Sequence, residues 1–497
     1  MTAMADTPPA KATRREWIGL ALIVLPCLLY SMDLTVLNLA VPSLSADLAP
    51  SATQLLWIVD IYGFMVAGWL ITMGTLGDRI GRRRILMFGA AAFGAASVIA
   101  ALAPTAEALI AARALLGVAG ATIAPSTLSL IRHMFQDEGQ RTVAIGAWGT
   151  GYAAGGLIGP VLGGVLLQWF PWGSVFLLAV PVMVLVLIAA PILLPEYKDP
   201  NAGRPDLLSA GLSLTAVLAM VYGLKHLAEH GPSTLAGGSI LLGALLAFGF
   251  VRRQQRLTDP LIDLALFRSK TFSTALTMNM MGCLVIFGTF LFIAQYLQLV
   301  LGLSPLEAGL WQLPSAAATT VGSMASPWFV SRGRPSRVVA GGFALMAAGF
   351  VLLSLAPWGG LPAIVAGCVV MSIGLGPTFV LTSDLILNAA PPERAGGAGA
   401  ISETGSEFGG VMGIALLGSL GVAIYQAFAP ATDHASFGMA VAEAERIGGQ
   451  AGAALLADSR AAFVRAMQAV TVVCAAISAG AAVAALVLLS NARRGQS

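Results

Sequence analysis

Charge is what this sequence has least of. Only 10% of its 497 residues are Asp, Glu, Lys or Arg, whereas a soluble domain carries about 25%. With 57% hydrophobic residues and a mean hydropathy of +0.84, the chain could not cover a surface facing water. Cysteine is scarce as well. Cys27, Cys283, Cys368 and Cys474 fall in four separate apolar segments. Without pairing or metal-ligand spacing they read as small buried hydrophobes. The four histidines (His133, His226, His230, His434) lie in loops or at helix ends. No His/Cys metal cluster, haem-ligand pair, phosphate-cradling loop or nucleophile elbow appears, so no cofactor, no metal and no enzyme chemistry is expected. Arginine outnumbers lysine 23 to 4, and the net charge of +3 says little; where the charges lie says more.

What is there is a series of long apolar runs. A helix needs about 20 apolar residues to cross the hydrocarbon core. By that measure spans are expected near 17–42, 54–76, 85–103, 107–130, 142–166 and 173–194, then 208–226 and 234–251. Six more are expected near 271–299, 307–330, 338–356, 361–388, 396–424 and 463–489. The first run is too long for a signal peptide and reads as an uncleaved helix after a short polar tail, residues 1–16. Basic residues fall in alternate loops. Arg79/Arg82/Arg83/Arg84, Arg132/Arg141, Lys198/Arg204, Arg252/Arg253/Arg256/Arg268/Lys270, Arg332/Arg334/Arg337 and Arg394 share one side with Lys11/Arg14/Arg15 and Arg493/Arg494. The loops near 44–53, 167–172, 300–306 and 357–361 have none. The positive-inside rule then makes both termini cytoplasmic, which requires an even helix count. Fourteen fits; twelve would leave two apolar runs unexplained.

Arg141, Gly146 and Gly156 recur as Arg394, Gly399 and Gly409 at one constant offset. Two parallel repeats of six helices with a central site are a known transporter plan. The expected organisation is an N-terminal half (17–194), an inserted helix pair (208–251) and a C-terminal half (271–490) with a long external loop at 425–462. That loop is Ala/Gly-rich with Glu443, Glu445 and Arg446, compatible with a short hairpin.

Several motifs carry a family resemblance. Gly74-Thr-Leu-Gly-Asp78-Arg79-Ile-Gly81-Arg82-Arg83-Arg84 resembles the signature loop between the second and third helices of the major facilitator superfamily. Met32-Asp33-Leu34-Thr35-Val36-Leu37-Asn38-Leu39-Ala40-Val41-Pro42 resembles the first-helix motif of its fourteen-helix drug:proton antiporters. Arg113 with Gly117 and Gly120 resembles the fourth-helix arginine motif, with Leu116 where the family has glutamine. Gly155-Gly156-Leu-Ile-Gly159-Pro160-Val-Leu-Gly163-Gly164 resembles the fifth-helix antiporter motif, whose glycines permit close helix contact and whose proline permits a bend. Ser402-Glu403-Thr-Gly-Ser-Glu407-Phe-Gly-Gly410 resembles the thirteenth-helix acidic segment of multidrug exporters of the SmvA/LfrA/QacA type. The resemblance implies an all-α membrane protein of the major facilitator fold, with fourteen transmembrane helices in two six-helix halves plus an inserted pair. It implies a monomeric exporter in the bacterial cytoplasmic membrane, driven by protons. The expected cargo is lipophilic cations: quaternary ammonium compounds, cationic dyes and biguanide antiseptics. The outward direction rests on the Gly155–Gly164 motif, which also argues against a nutrient:proton symporter.

The few intramembrane charges are the candidate site. A charge at a helix centre costs roughly 2.5–3.5 kcal/mol on insertion scales. Asp33, Asp60, Arg113, Asp384, Glu403 and Glu407 would together cost about 15–20 kcal/mol if none were paired or hydrated. Desolvation disfavours the ionised carboxyl, so such acids are suited to taking up and releasing protons. Asp33 and Asp60 are expected to serve proton or cargo, the alternatives being a buried ion pair and a headgroup-level carboxyl. By the resemblance Arg113 supports proton transfer; the alternative is a structural pair. Glu403 and Glu407, four residues apart, share a helix face and would titrate as a coupled pair; the alternative is hydration at the cytoplasmic mouth. Asp384 lies near a cytoplasmic helix end. Counting one arginine against these acids leaves excess negative charge, which favours cationic over anionic cargo.

A ring face attracts a cation. Tyr30, Trp57, Trp148, Phe287, Phe290, Tyr296, Trp311, Phe379 and Phe408 are candidates, with the lipid face as the plain alternative. Met278, Met280 and Met281 add an adaptable surface. Two other readings remain open at this stage: export of one endogenous metabolite or antibiotic, and a membrane enzyme or channel.

Overall fold

The structure, a computed structural model, describes residues 11–198, 205–257, 260–332, 334–391, 394–429 and 436–489. Residues 1–10 of the expected tail, Arg204, Arg493 and Arg494 lie outside the described residues. Thr13 and Glu16 form a capping box, so α1 (Arg14–Leu48) already starts within the segment expected as tail. It is followed by α2 (Ala52–Ile80), α3 (Arg82–Ala101) and a broken span, α4 (Ala106–Gly120) with α5 (Ile123–Met134). Pro125 in the first turn of α5 cannot donate to the preceding turn, which places the break. Next come α6 (Glu138–Trp169) and a second broken span, α7 (Ser174–Leu177) with α8 (Ala179–Leu193), where Pro181 acts the same way. The inserted pair is α9 (Leu207–His230) and α10 (Thr234–Gln254).

The second half begins with α11 (Lys270–Gln295), which ends in a π-turn over Tyr296–Val300. Then α12 (Pro305–Leu310) and α13 (Leu313–Arg332) share a span broken before Pro314. The rest is α14 (Pro335–Ser354), α15 (Ala356–Asn388) with a kink at Gly360 (φ 56°), α16 (Ala395–Phe428), α17 (Phe437–Ile447) and α18 (Gly449–Leu488). Thirteen helices among the described residues are long and apolar enough to cross a membrane. The span expected near 307–330 falls outside that set because α13 is rich in serine and threonine. The loop expected over 425–462 is mostly helix. α16 runs on to Phe428, α18 begins at Gly449, and α17 stands between them; residues 430–435 lie outside the described residues.

Each half has its own core. One cluster gathers residues of α1 to α8, the other residues of α11 to α18, and few residues belong to both regions. Outward-facing Ile188, Leu245 and Val483 are exposed; such continuous apolar surface marks a membrane contact. The repeat seen in the sequence is a repeat of helix pairs. On α6, Gly151, Gly155 and Gly163 press on Val24, Leu28 and Val36 of α1. On α16, Gly405, Gly409 and Gly413 press on Leu276, Met280 and Leu284 of α11. A Cβ at Gly155 or Gly413 would strike a backbone carbonyl, so these approaches need glycine.

The bundle has a basic end, which holds the start of α1 and the α2–α3 loop, and a far end. The halves meet from mid-bundle to the far end. Gly63 of α2 faces Val411 of α16, and Leu56 faces Gly418. Gly164 of α6 lies on Pro305 and Leu306, and Gly309 lies on the Pro160 carbonyl. Gln298 donates to the Leu39 carbonyl at 3.1 Å. α9 packs on both α2 and α16 through Phe64, Val221, Val411 and Ala415, so the inserted pair lies along the seam of the two halves.

Candidate functional site

On the basic side of that seal, a cavity of about 400 Å³ separates the halves. Its wall includes Tyr30 and Asp33 from α1, Arg113 from α4, Trp148 from α6, Phe287 from α11, and Glu403 and Glu407 from α16. Seven residues singled out in the sequence thus converge from five helices. Phe379 reaches the same wall from α15.

Arg113 is held on all sides. Its guanidinium is 1% exposed and pairs with the Asp33 carboxylate. Nε donates to the Ile58 carbonyl at 3.1 Å, and the group lies 4.7 Å from the Tyr62 ring centre. Asp33, 15% exposed, looks into the cavity. A charged guanidinium this deep needs each of these partners, because an unpaired buried ion costs several kcal/mol, on the order of 3–5. Gly117, one turn on, lies on the Tyr62 carbonyl, and this approach brings α4 close enough to α2 for the Ile58 bond.

Across the cavity the acids stand differently. Tyr30 donates its hydroxyl to Glu407 Oε1 at 2.6 Å, which ties the two halves at mid-depth. Among the described residues, no lysine or arginine pairs with Glu403 or Glu407. Their helix is fixed by a polar chain: Ser406 donates to Asn279 Oδ1 at 2.6 Å, and Asn279 donates to Thr382 Oγ1 at 3.1 Å. Rings line the opposite wall. Tyr152 lies 4.8 Å from Trp148 and 5.6 Å from Tyr30, centre to centre. The arrangement offers two acidic oxygen pairs beside aromatic faces, which suits an organic cation.

Other expected residues lie elsewhere. Asp60 is fully buried and pairs with Lys225 of α9 at 2.7 Å, both side chains 0% exposed. Trp57 stacks on that lysine at 3.7 Å from the ring centre instead of facing the cavity. Lys225 corrects the count of a single intramembrane cation. The expected span ended at residue 226, which made this lysine look terminal, whereas α9 continues to His230. Asp384 is exposed and accepts a hydrogen bond from Asn388 at 2.9 Å, away from the cavity. Phe408 turns to a separate apolar cavity between α2, α9 and α16. Phe290 lines a further compartment toward the far end. Tyr296 is buried and donates to the Ala356 carbonyl, and Trp311 is exposed. Tyr152 went unnoticed in the sequence; its signal was its place one turn after Trp148.

The conformational motifs are built into one half. Asp78 pairs with Arg82 at 2.5 Å, and Arg82 donates to the Pro125 carbonyl of α5. Gly81 has φ 120°, and a side chain there would collide with Glu196, which takes the Arg83 amide. Arg79 is exposed and Gly74 lies near Pro125. On α6, Gly159 lies on Met32 and Thr35.

Known proteins agree with this fold. A family model described as Major Facilitator Superfamily matches residues 24–414. The chain is 41% identical over 474 residues to the "Multidrug efflux pump LfrA" of Mycolicibacterium smegmatis, covering 93% of this chain and 94% of that one. It is 38% identical over 418 residues to the "Methyl viologen resistance protein SmvA" of Salmonella typhimurium, covering 82% of each. It is 33% identical over 422 residues to the "Tetracenomycin C resistance and export protein" of Streptomyces glaucescens, covering 84% and 78%. Among solved structures, a bacterial homolog of the human lysosomal transporter Spinster superposes with a TM-score of 0.69 at 19% identity, covering 98% and 100%.

Proposed function

Because this chain belongs to the major facilitator superfamily, we propose that it is a proton-coupled antiporter that exports lipophilic cations. It is a multi-pass membrane transporter and not an enzyme, and the relatives named above are drug-efflux and resistance proteins. The observation that carries the finer reading is the pair Glu403 and Glu407. They line a cavity with Trp148, Phe287 and Tyr30 and have no cationic partner among the described residues. Carboxyls placed so serve a cation and a proton alternately, since each cancels the same charge.

Basic loops favour the cytoplasm for the basic end, and the relatives are bacterial, so in this reading the protein sits in the cytoplasmic membrane with both termini on the cytoplasmic side. The far-end contacts then close the external side, and the cavity waits for cargo from within. A lipophilic cation enters, displaces protons from Glu403 and Glu407, and takes the place of the Tyr30 hydroxyl. The halves rock outward. External protons reload the acids and release the cargo. Asp33 with Arg113 relays or holds a proton at the wall. Asp60, held by Lys225, fastens α9 in this reading.

Ethidium efflux in everted vesicles tests the coupling. Collapse of the proton gradient by a protonophore stops efflux; efflux that continues unchanged would overturn the proposal. The Streptomyces relative named for tetracenomycin C resistance and export favours a second reading, export of one endogenous antibiotic. Resistance confined to a single compound in a drug-susceptibility panel would decide for it.

A further inference from the structure

Among the described residues, α13 is the one expected span too polar to count as membrane-crossing by composition, and its polar side chains gather toward one face. Val321, Met324 and Trp328 are 66%, 78% and 54% exposed and make the lipid face. Gln312, Ser315, Thr319 and Thr320 recur at helical spacing on another face. They line a second compartment of about 270 Å³ toward the far end. It adjoins the acidic cavity: Ser31, Asn38, Tyr152 and Phe287 line both.

The hydroxyl protons of this face are already engaged. Ser315 donates to the Gln312 carbonyl at 2.7 Å, Thr319 to Ser315 at 3.2 Å, and Thr320 to Ala316 at 3.0 Å. Thr35 on the facing α1 donates to Met32 at 3.0 Å. Each hydroxyl oxygen keeps acceptor capacity. Along α13 and Thr35 the compartment therefore presents oxygen acceptors and no charge, with the Tyr152 hydroxyl at the border it shares with the compartment of carboxyls and rings.

We propose that this compartment is a second subsite, which takes an uncharged hydrogen-bond-donating group of the cargo while its cationic end sits at Glu403 and Glu407. It rests on the export reading above and names the cargo class: elongated cations with an O–H or N–H group remote from the charge. Compact cations occupy the acidic cavity alone.

The test uses two matched probes, dodecyltrimethylammonium and its 12-hydroxydodecyl analogue, which differ by one terminal hydroxyl. Each is measured as a competitor of ethidium efflux and as a ligand of the purified protein. In the variant Ser315→Ala/Thr319→Val/Thr320→Val, affinity for the hydroxylated probe falls roughly tenfold, as expected for one or two hydrogen bonds lost. Affinity for the alkyl probe changes less than about twofold. Equal effects on both probes, or no effect on either, overturn the subsite. If the variant moves no ethidium, the binding measurement still decides, since the two probes must part there too. Absence of proton-driven efflux in the unaltered protein would instead strike the export reading and leave the binding difference standing.

Discussion

Asp33–Arg113 and Asp60–Lys225 are the same chemistry in two regions of one bundle, and they differ in access. The first pair forms part of the cavity wall, with Asp33 partly open and Arg113 also bound to the Ile58 carbonyl. The second is sealed between α2 and α9, where the two charges face each other and the Trp57 ring. A sealed pair is weak evidence for stability, because desolvation offsets attraction, but removing one member leaves a buried charge alone. The difference teaches that burial cost by itself does not mark a transport residue. What separates the two pairs is cavity access, which only the first has.

The largest expected effect tests the open pair. Asp33→Asn keeps an oxygen toward Arg113 but removes the titratable group. Proton-driven ethidium efflux should fall to background in everted vesicles while the purified protein remains monodisperse. Near-normal efflux in that variant would move proton coupling away from the first half.

Next comes the sealed pair. Asp60→Asn or Lys225→Met alone should destabilise the protein by about 3–5 kcal/mol, seen as a lowered thermal midpoint and poor yield. The double variant Asp60→Asn/Lys225→Met should recover both stability and most of the efflux. A double variant that folds well yet cannot transport would place this pair in the mechanism beside Asp33. Between the two regions stand the acids without a base. Glu407→Gln should raise the KM for monovalent cations roughly tenfold, about 1.4 kcal/mol. A KM that stays put would remove Glu407 from the cargo site.

The sequence made the membrane bundle, its repeat and most of the cavity wall legible, for physical reasons. Apolar runs must be about as long as the bilayer is thick, and rare charges stand out against them. Pairing was not legible, because partners come from distant helices. Asp33 and Arg113 were each visible as candidates, but nothing in their spacing joined them. Lys225 was hidden by its place at the end of an apolar run, and with it went the meaning of Asp60 and Trp57. Tyr152 and the α13 hydroxyls looked ordinary one by one. What selects them is the cavity they share, a property of the packed halves and not of any single helix.

The smallest expected effect is the sharpest on this point, and it concerns Trp57. Read from the sequence, Trp57 is a ring for cationic cargo. In the structure its face is taken by the Lys225 ammonium, and Lys225 is taken by Asp60. A ring over a desolvated ammonium contributes about 0.5–2 kcal/mol. Trp57→Leu should therefore lower stability by about 1 kcal/mol and leave the KM for ethidium unchanged. In the Asp60→Asn/Lys225→Met background the same substitution should cost less, because the cation it served is gone; comparing the two backgrounds isolates that contact. If Trp57→Leu instead raises the KM for aromatic cations by the same factor in both backgrounds, the ring serves cargo. The sealed region would then be open in some state of the transport cycle, and the contrast between the two ion pairs would be one of timing and not of place.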